Sequence, residues 1–343
     1  MSQNINNIIQ YNNATYEGNV INSKKEGKGK IEYNNGDKFE GSFSNDKKNG
    51  KGIYFYNNGD KYEGDFKNDL KEGKGIYHYK NGDKYEGDFK EDKKDGSGIL
   101  LFKNGNRYEG EFKEDKIEGC GKFFYQNGII FEGEFENGIK NGKAIYYYLD
   151  GTKYEGNMKK GKNVGKWIYS FKDGNKLEEE YNENNEINSD IKKFIYSNGD
   201  SYEGKWIDGK KEGKGLYSYK NGNKYEGDYK NDKKEGNGKF FYLNGDSYDG
   251  EWKDDKKNGK GNYYYKEGDR YEGEWKDNKK DGKGIYFFAN GDKYDGNWTK
   301  DERDGEGIQC SINGEINLCN YTNGKLIRYI QKESVLKNSN ISS

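Results

Sequence analysis

Apolar and polar residues recur along the chain in a unit of 23 residues. The first position of the unit is an aromatic residue followed by Glu-Gly or Asp-Gly, and it falls at Tyr16, Phe39, Tyr62, Tyr85, Tyr108, Phe131 and Tyr154, and again at Tyr202, Tyr225, Tyr248, Tyr271 and Tyr294. Internal repetition at a fixed period of this size is typical of repeat proteins, in which each unit is one supersecondary element. The period is broken once, between the two series.

The unit that begins at Tyr225 reads YEGDYKNDKKEGNGKFFYLNGDS, with aromatic residues at unit positions 1, 5, 16 and 18 and glycines at positions 3, 12, 14 and 21. Alternation with a period of two predicts strands. Asn231 with Asp232, and Asn244 with Gly245, predict tight turns because these residue types tolerate positive φ. Each repeat is therefore predicted to be one β-hairpin.

The predicted strand register places aromatic rings opposite glycines. Its partners are Tyr225 with Phe240, Gly227 with Gly238 and Tyr229 with Gly236 around the first turn, and Tyr217 with Gly227 and Tyr229 with Gly215 around a turn centred on Gly222. A glycine lets a neighbouring ring lie flat on the strand, so one sheet can bury aromatic area without a second layer. The predicted fold is all-β: an elongated, single-layer antiparallel β-hairpin solenoid of about 13 repeats, roughly 120 to 130 Å long.

The pattern Y-E-G-x-[FW], then G-x-G, then an aromatic residue and N-G, resembles the MORN (membrane occupation and recognition nexus) repeat. Most of the chain, residues 16–316, carries it. The resemblance implies an extended antiparallel β-meander. It also implies a protein that anchors or organises complexes at membranes and cytoskeletal structures, often as a homodimer joined through its C-terminal repeats.

Departures from the pattern suggest boundaries within the chain. The expected organisation is an N-terminal extension (1–15), an N-terminal arm of repeats (16–176), a degenerate repeat (177–201), a C-terminal arm (202–325) and a C-terminal cap and tail (326–343). Residues 177–198 lack glycine and are rich in Glu, which favours either an acidic kink between two arms or a degenerate repeat that continues the sheet. A short helix over Leu326–Lys337 is expected to cover the last edge.

Tryptophan occupies position 5 in most of the C-terminal arm, where the N-terminal arm mostly has Phe. Core packing explains this pattern. A dimer surface that includes Trp252, Trp275 and Trp298 is the alternative.

Paired lysines occupy positions 9 and 10, in the first turn of the hairpin. They form a predicted lysine ridge of Lys24, Lys25, Lys47, Lys48, Lys93, Lys94, Lys210, Lys211, Lys233, Lys234, Lys256, Lys257, Lys279 and Lys280. Such a ridge would bind anionic lipid headgroups or an acidic partner, at up to about 1 kcal/mol per lysine for a lipid surface. Alternatively, the lysines serve solubility and edge protection, since Asp46, Asp92, Asp232 and Asp255 lie close by.

Positions 15 and 17 place apolar residues on the face opposite the glycines, bordered by acidic residues such as Glu63 and Asp65. This predicted partner groove consists of Ile53, Phe55, Ile99, Leu101, Ile145, Tyr147, Ile285 and Phe287. An apolar stripe with a polar rim is typical of protein-binding surfaces. A one-layer sheet also needs β-forming residues on both faces, which would explain the stripe without a partner.

Composition and charge argue against several classes of function. Only 29% of the residues are hydrophobic and the mean hydropathy is -1.40, so a thick globular core is not expected. The net charge is -1, and the aromatic rings are expected to be buried, which argues against nucleic-acid binding. No apolar run is long enough to span a membrane, and three cysteines form no recognisable disulfide framework or metal-ligand spacing.

Catalysis is not expected either. The single histidine, His78, has no nucleophile placed near it by the repeat, and the carboxylates recur identically in every unit. Acid–base catalysis needs two differently tuned groups in one pocket. We therefore predict a chain without catalytic residues, cofactor or metal.

The sequence thus predicts a non-catalytic scaffold or adaptor that organises protein complexes. It is expected to be cytoplasmic and peripheral to the plasma membrane or the cortical cytoskeleton. A phosphoinositide-binding lipid adaptor that uses the lysine ridge is the alternative.

Overall fold

The chain folds almost entirely into antiparallel β-strands. The structure is a computed structural model that describes the backbone of residues 7–187 and 191–334 and the side chains of residues 8–187 and 191–330. Within these ranges all regular secondary structure is strand, and no helix long and apolar enough to cross a membrane occurs in them. The all-β, single-layer hairpin fold is confirmed.

The chain divides into two compact units, which we call the N-terminal unit (Met1–Lys172 with Glu180–Ile187) and the C-terminal unit (Asp173–Glu179 with Asn188–Ser343). The strands that lie within the N-terminal unit are β1 (Asn7–Gln10), β2 (Ala14–Ile21), β3 (Lys24–Tyr33), β4 (Lys38–Ser44), β5 (Lys47–Phe55), β6 (Lys61–Lys67), β7 (Leu70–His78), β8 (Lys84–Lys90), β9 (Lys93–Leu101), β10 (Arg107–Lys113), β11 (Lys116–Phe124), β12 (Ile130–Glu136), β13 (Ile139–Tyr147), β14 (Lys153–Lys159) and β15 (Lys162–Ser170).

Strand β16 (Lys176–Tyr181) has residues in both units, and the remaining strands lie in the C-terminal unit. These are β17 (Ile191–Ile195), β18 (Ser201–Ile207), β19 (Lys210–Ser218), β20 (Lys224–Lys230), β21 (Lys233–Phe241), β22 (Ser247–Lys253), β23 (Lys256–Tyr264), β24 (Arg270–Lys276), β25 (Lys279–Phe287), β26 (Lys293–Thr299), β27 (Glu302–Cys310), β28 (Glu315–Thr322) and β29 (Lys325–Ser334). Within each unit, strands that are neighbours in sequence pair antiparallel.

The first turn of the hairpin has the predicted residues and conformation. Asn231 and Asp232 have φ values of 49° and 71°, as a two-residue type I′ turn requires. Two of the predicted pairs around this turn are confirmed, since Tyr225 faces Phe240 and Gly227 faces Gly238.

The third pair around this turn is wrong: Tyr229 faces Lys234 and not Gly236. A bulge between Gly227 and Tyr229 separates the two parts of the ladder. Gly236 lies at this bulge with a φ of 67°, a conformation that favours glycine.

Both predicted pairs around the second turn are also wrong. Tyr217 faces Tyr225 and not Gly227, and Tyr229 faces Gly213 and not Gly215. The predicted turn centre was one residue too late, which shifts every pair by two residues. Across this turn, Tyr217 faces a ring and Gly215 faces Gly227, while Tyr229 still faces a glycine.

Rings still cover glycines, but they do so by lying along the strand. The Tyr225 hydroxyl would lie 2.5 Å from a Cβ added to Gly227, and the ring of Tyr225 also occupies the space beside Gly238. Tyr225 is fully buried and packs edge-to-face against Tyr229 and Trp252, with ring centroids 5.3 and 5.2 Å apart. Each unit thus buries its aromatic rings on one face of a single sheet, which we call the aromatic face.

Polar side chains at the turns form hydrogen bonds between neighbouring repeats. Asp200 accepts hydrogen bonds from the Lys220 backbone N–H (2.8 Å) and from the Tyr217 hydroxyl (2.9 Å), both in the following repeat. At the opposite edge, Asp232 accepts the backbone N–H of Lys211 at 2.9 Å. Equivalent bonds recur in most repeats, so side chains satisfy backbone donors that the turns would otherwise leave free.

The degenerate repeat forms strands. Its β16 pairs with β17 through Lys176 opposite Ile195, and a turn at residues 182–186 precedes a bridge between Tyr181 and Ile187. Strand pairing is the feature expected of a degenerate repeat that continues the sheet, while an acidic kink at this position stays a prediction.

The two ends of the chain are strands as far as they are described. Strand β1 within the expected N-terminal extension pairs with β2. The helix predicted over Leu326–Lys337 is wrong for residues 326–334, which belong to β29 and pair with β28. Ile327, Tyr329 and Ile330 favour a strand because β-branched and aromatic residues fit a pleated surface. Residues 335–337 lie outside the described part of the chain.

Candidate functional site

A groove crosses the strands of the N-terminal unit on the face opposite the aromatic rings. It has a volume of about 1530 Å³ and extends from Glu17 to Cys120. Its floor is a track of glycines that face one another across successive strands, namely Gly52, Gly64, Gly75, Gly87 and Gly98. We call it the glycine groove.

One wall of the glycine groove alternates isoleucine and glutamate. Ile53, Glu63, Ile76, Glu86 and Ile99 are successive cross-strand neighbours on strands β5 to β9. The repeat produces this order because position 15 of one strand always faces position 2 of the next. An apolar side chain therefore recurs on every second strand, with a carboxylate between.

The other wall is a row of ion pairs. Lys51 contacts Asp65 at 2.8 Å and Lys74 contacts Asp88 at 2.7 Å. In each of these two pairs the opposite charges balance. The side chains of Lys51 and Lys74 are 70% and 71% exposed, so the pairs border the groove without filling it.

The carboxylates of the Ile/Glu wall also have partners on its outer side. Lys61 contacts Glu63 at 3.1 Å and Lys84 contacts Glu86 at 2.9 Å. Both glutamate side chains stay more than half exposed, at 51% and 56%. Exposed ion pairs of this kind are weak, so these carboxylates are open to a new cationic partner.

The residues of the predicted partner groove lie at three separate places in the structure. Ile53 and Ile99 line the glycine groove, whereas Ile145 lines a smaller neighbouring groove of about 510 Å³. Phe55, Leu101 and Tyr147 lie outside these two linings and are exposed. Ile285 and Phe287 are half-buried in the C-terminal unit.

Sequence reasoning missed the central residue of the Ile/Glu wall. Ile76 occupies the same position 15 as Ile53 and Ile99, and it lines the groove between them. It was overlooked because His78, and not an apolar residue, occupies position 17 of that repeat. Repeat position alone would have found it.

The predicted lysine ridge separates into two classes. The position 9 lysines Lys24, Lys47, Lys93, Lys210, Lys233, Lys256 and Lys279 are exposed. Several of them contact the turn of the following repeat, as Lys233 does with Asp254 at 2.7 Å and Lys256 with Asp277 at 2.8 Å. These contacts leave less net positive charge along this edge than the lysine count suggests.

The position 10 lysines turn back over the aromatic face. Lys25, Lys48, Lys94, Lys211, Lys234, Lys257 and Lys280 are half-buried or buried. The Lys257 ammonium lies 4.4 Å from the Trp275 ring centroid and 4.7 Å from that of Tyr263, within the range of a cation–π contact. Burial lowers the pKa of Lys257 to about 8. The position 10 lysines therefore pack against the protein's own rings, and a lipid-binding role for them stays a prediction.

The tryptophans of the predicted dimer region belong to the core. Trp252, Trp275 and Trp298 are each only 5% exposed. The Nε1–H of Trp252 donates to the Gly238 carbonyl at 2.9 Å, and the other two make the equivalent bond at 3.0 Å. Core packing accounts for these residues, and a homodimer stays a prediction.

In the part of the chain that the structure describes, the titratable groups form no recognisable catalytic arrangement. His78 lies between Lys61 and Lys84 of the neighbouring strands, and burial together with these two lysines lowers its pKa. Within the described ranges, no group of three His, Cys, Asp or Glu residues is placed to hold a metal ion.

Several solved structures resemble the chain weakly. The TCP domain of SAS-4 (dCPAP) from Drosophila melanogaster, in complex with a proline-rich motif of Ana2, is 21% identical over 48% of this chain and 84% of its own, with a TM-score of 0.32. The wild-type TCP10 domain of CPAP from Danio rerio is 12% identical over 68% of this chain and 99% of its own, with a TM-score of 0.27. A streptogramin B lyase is 14% identical over 89% of this chain and 94% of its own, with a TM-score of 0.14.

No curated protein matches the sequence. A family model described as the MORN repeat matches residues 16–38, 39–61, 62–84, 85–107, 108–130, 131–153, 202–224, 225–247, 248–270, 271–293 and 294–316. These eleven matches cover well over half of the chain and leave out the degenerate stretch. The chain belongs to the MORN repeat family.

Proposed function

We propose that this protein is a non-catalytic scaffold that binds other proteins through the glycine groove and thereby organises a complex peripheral to the plasma membrane or the cortical cytoskeleton. The observation that carries this proposal is the groove itself. It combines an apolar row, a polar border and a floor without side chains, in a volume of about 1530 Å³. An apolar centre with a polar rim is the usual composition of a protein interface.

The regular form of the groove favours a polymer over a small molecule. Its lining residues come from the same positions of successive repeats, from Glu17 to Cys120, and no single repeat supplies a distinct polar cluster. Small-molecule sites are usually concave and carry a few polar groups that converge on one ligand. A chain that lies across the strands would instead meet the same contacts again at each repeat.

A displayed library of random peptides, selected on the full chain, tests the proposal. The test variant replaces Ile53, Ile76 and Ile99 by Thr, which keeps β-branched side chains in the strands but removes apolar surface from the wall. We expect the selected peptides to lose binding to this variant. Selection that yields no peptide sensitive to the variant would reject the groove as a protein-binding site.

The chain offers a matched control. Leu216, Ile285 and Ile308 occupy the same position 15 in the C-terminal unit, so their replacement by Thr removes a similar amount of apolar surface away from the groove. Thermal melting of both triple variants shows whether the fold survives. Selected peptides are expected to bind the control variant as they bind the unmodified chain.

A lipid adaptor is the second candidate function, and the exposed position 9 lysines are the observation that favours it. Flotation with liposomes that contain phosphoinositides tests it, using a variant with Lys210, Lys233, Lys256 and Lys279 replaced by Gln. Flotation that depends on these lysines would support the adaptor. Absence of flotation by the unmodified chain would reject it.

A further inference from the structure

The spacing of the groove specifies the conformation of its ligand. We propose that the glycine groove binds a polyproline II segment of a partner protein, with an apolar residue at every third position and basic residues between. This inference rests on the function proposed above and names the class of partner.

The first argument is the distance between apolar contacts. Ile53, Ile76 and Ile99 lie on β5, β7 and β9, so each is two strands from the next. Neighbouring strands are about 4.8 Å apart, which separates these isoleucines by about 9.6 Å. A ligand that lies across the strands must present an apolar side chain at this interval.

A polyproline II helix has this period. It rises about 3.1 Å per residue with three residues per turn, so every third side chain returns to the same face after about 9.3 Å. Over the two intervals between Ile53 and Ile99 the accumulated mismatch is only about 0.6 Å. A β-strand presents one face every two residues, about 6.8 Å, and falls out of step after one interval.

The second argument is the width of the floor. The two walls are two residues apart along each strand, as Ile53 and Lys51 on β5 illustrate, which corresponds to about 6.8 Å. An α-helix with its side chains is about 10–12 Å across and is too wide to reach the glycine floor between the walls. A single extended chain fits this width.

The third argument concerns hydrogen bonds. The strands that form the floor already pair with neighbours on both sides, so their backbone groups are not free to pair with a ligand. A polyproline II helix has no internal hydrogen bonds, and proline has no backbone N–H to leave unsatisfied on binding. A proline-containing ligand therefore loses little hydrogen bonding when it lies on this surface.

The fourth argument is charge. The carboxylates of Glu63 and Glu86 flank Ile76 and are more than half exposed, whereas those of Asp65 and Asp88 on the opposite wall are only 34% and 29% exposed. Lysine or arginine between the apolar residues of the ligand would lie beside these carboxylates. Acidic residues at the same positions would be repelled.

Synthetic peptides of fifteen residues test the proposal by fluorescence anisotropy with the full chain. The test peptide repeats Leu-Pro-Lys five times. We expect it to bind at least about tenfold more tightly than a Leu-Lys alternating peptide or a helical peptide of matched charge, the difference that about 1.4 kcal/mol produces. The Thr variant of Ile53, Ile76 and Ile99 is expected to lose about tenfold, and the control variant of the C-terminal unit is expected to lose none.

Three further peptides distinguish binding as a polyproline II helix in register with the isoleucines from non-specific electrostatic attraction of a basic peptide. Gly-Pro-Lys repeats remove the apolar residues, and Leu-Pro-Glu repeats reverse the charge. One glycine inserted after the second Leu-Pro-Lys triplet and another after the fourth leave at most two consecutive leucines at the spacing of the three isoleucines. We expect each change to weaken binding by about tenfold or more.

The outcomes distinguish this proposal from the function on which it rests. Equal or tighter groove-dependent binding of the alternating or helical peptide would overturn the polyproline II ligand and leave protein binding intact. Equal binding of the peptide with the two inserted glycines would overturn it as well. Library peptides that depend on the groove but lack the three-residue period would also overturn the ligand class alone, whereas a library with no groove-dependent peptide would overturn both.

Discussion

Tyr229 carries the buried hydroxyl whose removal should stabilise the protein. It occupies position 5, where other C-terminal repeats have Trp, and it is only 4% exposed. Its hydroxyl finds no hydrogen-bond partner within the described part of the chain. Burial and the surrounding tyrosines raise its pKa far above the ordinary value. The ring thus contributes to the core, while the hydroxyl only loses its hydration.

The expected gain follows from this geometry. An unsatisfied buried hydroxyl costs about 1–3 kcal/mol, and part of this is offset by the small void that remains after its removal. Tyr229→Phe should therefore raise the free energy of unfolding by about 1 kcal/mol. For a unit of this size that corresponds to a rise in Tm of about 2–4 °C.

Tyr225→Phe is the matched control, because it removes the same atom from a neighbouring ring. The Tyr225 hydroxyl donates to the Asp228 carbonyl at 3.0 Å, so its loss should destabilise by about 0.5–1.5 kcal/mol. Urea unfolding followed by fluorescence of Trp252, which packs against Tyr225, measures both variants. If Tyr229→Phe destabilised the protein as Tyr225→Phe does, the reasoning would be refuted.

Three further predictions concern the packing and the charges. Gly227→Val should lower the free energy of unfolding by more than about 3 kcal/mol, because the Cβ of the valine would lie 2.5 Å from both the Tyr225 hydroxyl and the Gly238 Cα. A thermal melting temperature equal to that of the unmodified chain would contradict this. The hydrogen bond from the Lys220 N–H is the main cause that holds the pKa of Asp200 below its ordinary value. The Asp200 carboxylate should therefore stabilise the fold fully above the unfolded pKa near 4 and lose this effect as the pH falls further. Asp200→Asn should make the urea midpoint of unfolding fall less steeply between pH 5 and pH 3. Burial lowers the pKa of Lys257 to about 8, so the unfolded chain binds more protons than the folded chain between pH 8 and 10. The free energy of unfolding should therefore rise with pH over this range. Lys257→Met should remove the part of this rise that Lys257 causes.

The period of the sequence was enough to predict the hairpins, because the turn residues have a direct conformational reason. Asn231 and Asp232 tolerate positive φ, and the structure uses both of them in that way. The pairing of Gly227 with Gly238 followed from this turn by simple counting.

The same counting failed beyond the bulge. A glycine that lies beneath a ring and a glycine that occupies a bulge are identical in the sequence, so Gly236 gave no sign that the ladder would shift. The wrong pairing of Tyr217 had a related cause, since a turn centre displaced by one residue changes each partner by two.

The candidate site was predicted in part. Position 15 was recognised as an apolar row, but the glycine floor could not be foreseen, because the glycines were explained entirely by the aromatic face. The position 10 lysines were expected to be exposed because they lie close to a turn. Their turn has only two residues, so Lys234 is already a strand residue, and its side chain lies over Phe240.

The hydrogen bonds at the turns have a consequence for the evolution of groove length. In most repeats a turn aspartate bonds to a backbone amide of the adjacent repeat, as Asp200 does with Lys220. A whole unit can therefore be duplicated or deleted while every remaining carboxylate keeps an equivalent amide. Each such event would lengthen or shorten the groove by two strands, about 9.6 Å, which is the room that one more ligand triplet requires.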